Sequence, residues 1–205
     1  LSHQDFKIIQ EHSKSLNIEF FSTPFDTESI EFLESLDVPF FKVASFDVVN
    51  KSLLRDLAKT KKPVILSIGM ANLHEVKEAH KILTANSKLT ILHCVSSYPT
   101  FEGNANLAAI PKLVENFNDC VIGQSDHTSD IKIPLYAVAA GSQVIEKHYK
   151  ISQESVCVDS EVSITEAQMK RFVNELDKLN VFLGDGKIDL DNCERGTLAF
   201  RRPTK

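Results

Sequence analysis

Two histidines, His127 in Ser125-Asp126-His127 and His148 in Glu146-Lys147-His148, each follow a short β-prone run. Imidazoles at adjacent strand tips can share a divalent ion, and such a pair suits manganese, zinc, iron or cobalt. The other strand tips are polar where the strand bodies are not: Ser22 with Thr23, Lys42 with Ser45, Ser67, Ser96 with Tyr98, and Ser125. Lys42 stands inside Phe40-Phe41-Lys42-Val43, where an unpaired buried ammonium is costly, so it is marked for a function. Hydroxyls, a cation and imidazoles converging on one mouth would hold a phosphorylated or hydroxylated small molecule. Ser22, Thr23, Ser45 and Ser67 have a simpler alternative as caps of the helices that follow them.

The remaining candidates carry less. His93, inside an apolar strand, reads as a core histidine, and His3, His12, His74 and His80, on helix faces, read as solvated. Cys94 reads as a small buried apolar residue rather than a nucleophile. Asp126 could orient an imidazole from behind, yet neighbours on a strand face opposite sides, and its role stays open.

Positioning these tips requires a parallel sheet. Runs rich in β-branched and aromatic residues at 18–22, 40–44, 64–67, 90–95, 120–123 and 144–148 read as buried strands. Amphipathic stretches at 2–16, 27–36, 51–60, 72–86, 107–117, 133–141 and 165–183 read as helices, the last with hydroxyl capping at its start and Gly184 as its stop. Connections of that length are crossovers, not hairpins. A doubly wound sheet usually opens with a glycine-rich phosphate turn, and Ser22-Thr23-Pro24-Phe25-Asp26 is not one. The expected fold is therefore α/β, a (β/α)8 TIM-barrel type. Such a barrel has eight strands in about 250 residues, so two strands are expected to be missing at the front.

Composition narrows the partners. The 205 residues, 42% hydrophobic, suffice for one domain core. A net charge of -5 excludes a broad basic surface for nucleic acid. Cys94, Cys120, Cys157 and Cys193 form no CxxC pair, which argues against a zinc knuckle or a disulfide framework and for a reduced, cytoplasmic setting. No stretch approaches the roughly 18 apolar residues of a membrane span, and the start lacks the pattern of a signal peptide. With Leu1 in place of an initiator methionine, the expectation is the interior of a longer chain.

Phe21-Ser22-Thr23-Pro24-Phe25-Asp26, Phe41-Lys42-Val43-Ala44-Ser45, Leu92-His93-Cys94-Val95-Ser96-Ser97-Tyr98-Pro99-Thr100, Ser125-Asp126-His127-Thr128 and Val144-Ile145-Glu146-Lys147-His148 together resemble the sialic acid synthase family. Its N-acetylneuraminate, legionaminate and pseudaminate synthases condense phosphoenolpyruvate with an N-acetylated hexose such as N-acetylmannosamine. The resemblance implies a barrel followed by a small antifreeze-like domain, and a homodimer in the full-length protein. It makes His127 and His148 the metal ligands, for Mn2+ first and Mg2+ or Co2+ as alternatives. Thr23, Lys42, Ser45, Ser67, Ser96 and Ser125 become the phosphoenolpyruvate shell, with Lys42 counted among the catalytic residues. Tyr98 and Asp159 become sugar contacts, Tyr98 also catalytic, and Asp47, counted among the catalytic residues, an acidic position that helps orient the sugar, with a solvated cap as the equal alternative. The domain expectation is a partial barrel over 1–184 and, over 185–205, a linker toward the antifreeze-like domain.

The chain departs from the family pattern at Ile68, where relatives commonly carry threonine, at Gln124, where they carry an aromatic residue, and at Cys157-Val158-Asp159-Ser160, a version nearer some pseudaminate synthases. The acidic residue and lysine of the family's first strands have no counterpart before Ser2, so the fragment alone is expected to be inactive. The alternatives are another phosphoenolpyruvate-using sugar-acid synthase, or a non-catalytic barrel that binds without turnover.

Overall fold

A computed structural model describes residues 1–85 and 87–202. Five strands, β1 (Phe41–Val43), β2 (Val64–Ser67), β3 (Leu89–Cys94), β4 (Val121–Asp126) and β5 (Val144–Lys147), form one parallel sheet in the order β1-β2-β3-β4-β5. The strands sit side by side in chain order with no switch point, unlike a doubly wound sheet, and curl as a partial barrel wall.

The helices are α1 (His3–Ser15), α2 (Thr27–Ser35), α3 (Lys51–Thr60), α4 (Leu73–Leu83), α5 (Ala109–Asn116), α6 (Lys132–Ala139) and α7 (Glu166–Leu183). Local chemistry sets their starts. Asp26 and Asn50 accept backbone N–H groups at the heads of α2 and α3, and capping boxes pair Ser2 with Asp5, Asn72 with Glu75 and Thr165 with Gln168. Lys61 ends α3 in the left-handed region. One core cluster packs Phe41, Val43, Val64, Leu66, Ile91 and Ile122 of the sheet against Leu54 and Leu57 of α3, Val76 and Leu83 of α4, and Ile110 of α5. A second joins Ile131, Ile164 and Phe172 across α6 and α7.

The structure corrects one strand. Residues 18–22 are extended but unladdered; among the described residues their backbone tie to the sheet is a single bond in which Lys42 N–H donates to Ser22 O at 3.4 Å. The sheet thus has five strands where the sequence suggested six. The expected helix 72–86 is shorter, with Asn72 as its cap and its last turn ending at Leu83; Asn86 lies outside the described residues. Every described residue from 181 onward is exposed, and residues 203–205 of the expected linker also lie outside the described part. No helix among the described residues is long and apolar enough to cross a membrane.

Candidate functional site

Register decides which side chains meet. Lys42 pairs with Ile65, Ser67 with Leu92, Cys94 with Ser125, and Ser125 with Glu146. Because side chains alternate along a strand, Lys42, Ser67, Cys94, Ser125 and Glu146 share one face. Ser96, His127 and His148 continue it beyond the strand ends. Phe41, Val43, Leu66, Ile91 and Ile122 take the other face and build the core. The polar face lines a cavity of about 360 Å³ with Ser45, Phe46, Met70 and Tyr98 at its rim.

At one end of this cavity Lys42 Nζ donates to Ser67 Oγ at 2.8 Å and to Val43 O at 3.0 Å, and lies 3.5 Å from Glu146 Oε2. Ser125 Oγ donates to Glu146 Oε1 at 2.6 Å. Burial holds the Lys42 pKa below the ordinary lysine value, and the Glu146 carboxylate opposes it. The Lys42 side chain is 8% exposed and the Glu146 side chain 37%, so the ammonium is anchored while its counter-ion faces the opening. Gly69 packs behind three of the lining side chains. Its N–H donates to Ser45 Oγ at 3.0 Å, and a Cβ there would stand 2.2 Å from Ser96 Oγ and 3.1 Å from Cys94 Sγ.

At the other end the two imidazoles face each other with ring centroids 5.3 Å apart. Tyr98 stacks on His127 at 4.0 Å and meets His148 edge-on at 5.7 Å. His127 Nδ1 lies 2.9 Å from Val95 O and must carry the proton to donate there, which leaves Nε2 with its lone pair. His148 Nδ1 lies 3.8 Å from Asp159 Oδ2. Neither Nε2 has a hydrogen-bond partner among the described residues. Burial works against charge on both rings. For His127 the Cys94 thiol and the Val95 carbonyl outweigh it and raise the pKa, whereas for His148 burial, reinforced by His127, lowers it. Burial also raises the Tyr98 pKa to about 12, with Cys94, Asp159 and Glu146 adding to it, so its hydroxyl stays a donor.

The spacing of these ring centroids is compatible with a shared divalent ion. With metal–nitrogen bonds of about 2.1 Å, a ring centroid stands about 3.2 Å from the ion, and two such rings at a tetrahedral angle lie about 5.2 Å apart. The observed spacing matches. Orientation of the His127 ring by a carbonyl on its other nitrogen is the usual support for an imidazole ligand.

Not every sequence candidate reaches this cavity. Thr23 lines a separate cavity with Ser22, Asp26 and Ser29 beside α2, because segment 18–22 does not ladder onto β1. Asp47 is buried in the turn after β1, where its Oδ1 accepts from Asn50 Nδ2 at 3.0 Å and its Oδ2 has no partner among the described residues; it supports the residue that caps α3 and does not line the cavity. Asp159, in the left-handed region at φ 61°, touches the site only through His148.

Glu146 and Cys94 line the cavity although sequence reasoning assigned them no role there. Their signal was parity: Glu146 is two residues before His148, and Cys94 two before Ser96. Cys94 Sγ is 3.8 Å from His127 Nδ1. Burial raises its pKa, but contacts with His127, Ser45 and Ser96 more than offset this and leave the thiol below its ordinary value. Asp126, next to His127, points to the opposite face and binds Lys147 at 2.7 Å, so it does not orient the imidazole. His93 is likewise on the helix side, its Nε2 2.8 Å from Ala105 O.

The NeuB family model matches residues 1–188. The N,N'-diacetyllegionaminic acid synthase of Campylobacter jejuni is 38% identical over 85% of this chain and 53% of its own length. The pseudaminic acid synthase of the same species is 38% identical over 95% of this chain and 57% of its own. The chain therefore spans about half the length of the curated relatives it matches. Among solved structures, the N-acetylneuraminic acid synthetase of Leptospira borgpetersenii superposes with a TM-score of 0.94 at 37% identity, over 98% of this chain and 70% of that one.

Proposed function

The chain belongs to the NeuB family, and from that premise we propose that it carries part of the active site of a (β/α)8-barrel nonulosonic acid synthase. The reaction would condense phosphoenolpyruvate with an N-acetylated hexose, N-acetylmannosamine or a related dideoxy sugar, releasing phosphate. The names of the relatives support the reaction class, and the meeting of His127 and His148 with the Lys42, Ser67, Ser125 and Glu146 cluster in one cavity is the observation that carries it.

His127 and His148 would hold a divalent ion, Mn2+ first, through their free Nε2 atoms. Such an ion supplies Lewis-acid polarisation of the sugar aldehyde, which a carbon nucleophile as weak as C3 of an enol phosphate requires. Lys42 would supply positive charge, and Ser45, Ser67, Ser96 and Ser125 hydroxyls, to the phosphate and carboxylate oxygens of phosphoenolpyruvate. Glu146 keeps that anion pocket from being simply cationic: it holds Ser125 and opposes Lys42, so an arriving dianion displaces one carboxylate contact rather than meeting a bare ammonium. Tyr98, a donor throughout the neutral range, would bind a sugar oxygen beside His127. After carbon–carbon bond formation, water attacks C2 and phosphate departs. The full-length protein would close the barrel, act in the cytoplasm and form a homodimer, with an antifreeze-like domain following 185–205.

The test is phosphate release by metal-free full-length protein given phosphoenolpyruvate, Mn2+ and each of several N-acetylhexosamines. Release that needs both substrates and stops with chelator supports the proposal. Release with aldose phosphates instead would transfer the site to another sugar-acid synthase, and binding of phosphoenolpyruvate without turnover of any sugar would make it a binding protein.

A further inference from the structure

A second group of metal-ligating side chains lies at the opposite end of β4. His80 Nε2, on α4, stands 3.0 Å from both carboxylate oxygens of Asp119, and Asp119 Oδ1 stands 3.6 Å from Cys120 Sγ. The donor atoms of all three residues lie within 4.8 Å of one another. Cys120 precedes β4 and His127 follows it. Seven residues at about 3.3 Å each put the two groups about 23 Å apart, so this group is independent of the cavity.

We propose that His80, Asp119 and Cys120 bind a zinc-class divalent ion that ties α4 to the start of β4. Tetrahedral zinc has bonds of about 2.3 Å to sulfur and about 2.1 Å to nitrogen and oxygen, so its ligand atoms sit about 3.4 to 3.6 Å apart. The carboxylate–thiol distance already has that value, and the imidazole–carboxylate distance is short by a few tenths of an ångström. One nitrogen, one oxygen and one sulfur donor suit zinc, whereas Mg2+ and Mn2+ prefer oxygen-rich sites. His80 is held in place by Phe117, whose buried ring lies 5.2 Å from it. Without an ion, burial and the Asp119 charge push the Cys120 thiol up to about 12; a bound cation would take the place of that proton. The sequence suggested only a solvated His80, yet its side chain is 22% exposed.

Cobalt titration of the metal-free full chain tests the site, because a thiolate on Co2+ gives a near-ultraviolet charge-transfer band. One equivalent of Co2+ should produce the band, and Zn2+ should erase it. Cys120→Ser should abolish the band, Asp119→Asn should weaken Co2+ binding at least tenfold, and the His127→Ala/His148→Ala double variant should retain the band. Asp119 is exposed, so its variant leaves the fold intact even if Cys120→Ser does not. No band in the wild-type chain, or a band that survives Cys120→Ser and vanishes in the double histidine variant, would overturn the proposal.

Discussion

Glu146 and Lys147 are neighbours in β5 that point to opposite faces of the sheet, and each belongs to an ion pair with a different purpose. On the helix side, Lys147 Nζ meets Asp126 Oδ2 at 2.7 Å with both side chains 2% exposed, and it also donates to Thr128 O. Asp126 further accepts from Thr128 N and Oγ1. On the cavity side, Lys42 and Glu146 stand 3.5 Å apart with Glu146 open to solvent. The outer pair is saturated and closed; the inner pair is loose and accessible. Residue types alone do not separate a structural ion pair from a binding one, but geometry and exposure do.

The contrast can be broken most forcefully from the outside. Lys147→Met strands Asp126 in the core, and is expected to cost about 3–5 kcal/mol of stability, measured by urea unfolding. Lys42→Met leaves a carboxylate that water can reach, so its expected stability change is within about 1 kcal/mol. Its expected effect on phosphate release is a loss on the order of 100-fold. The same urea series sharpens the point with pH. Because folding lowers the Lys42 pKa, the unfolded chain holds that proton more tightly, so burying Lys42 weakens the fold at neutral pH. The penalty is relieved only as pH rises through the lowered folded value toward the unfolded one, and Lys42→Met should remove that component. A smaller effect is expected at Gly69. Gly69→Ala crowds the Ser96 hydroxyl, which can rotate away, so a cost of about 1 kcal/mol is expected, seen as a raised KM for phosphoenolpyruvate with kcat nearly unchanged.

Much of this arrangement was legible in the sequence because it follows from periodicity. The β-branched runs located all five strands within one or two residues except at the end of β4, which extends to Asp126, and the amphipathic pattern located the helix starts, although Asp26, Asn50 and Asn72, not Ser22, Thr23, Ser45 or Ser67, cap α2, α3 and α4. The polar tips Ser67, Ser96, Ser125, His127 and His148 meet because parallel register puts residues of like parity on one face. What was not legible depended on pairing. Segment 18–22 has strand composition, but composition does not provide a hydrogen-bonding neighbour, and Thr23 lines the cavity beside α2 instead of the one that holds Lys42. Asp47 lies in a turn whose geometry follows from its contact with Asn50, not from its residue type. Glu146 stands in a polar strand tip, but its part in the cavity depends on Ser125 and Lys42 lying across the sheet from it, which residue type does not reveal.

Paramagnetic titration with Mn2+ tests the histidine centre most directly. Wild-type protein should bind one ion tightly, with affinity rising with pH, because each imidazole must be neutral to bind and the His127 pKa is raised while that of His148 is lowered. His127→Ala and His148→Ala should each abolish the tight site without lowering the melting temperature appreciably. Tight Mn2+ binding that survives both substitutions would contradict the placement of the metal between these two rings.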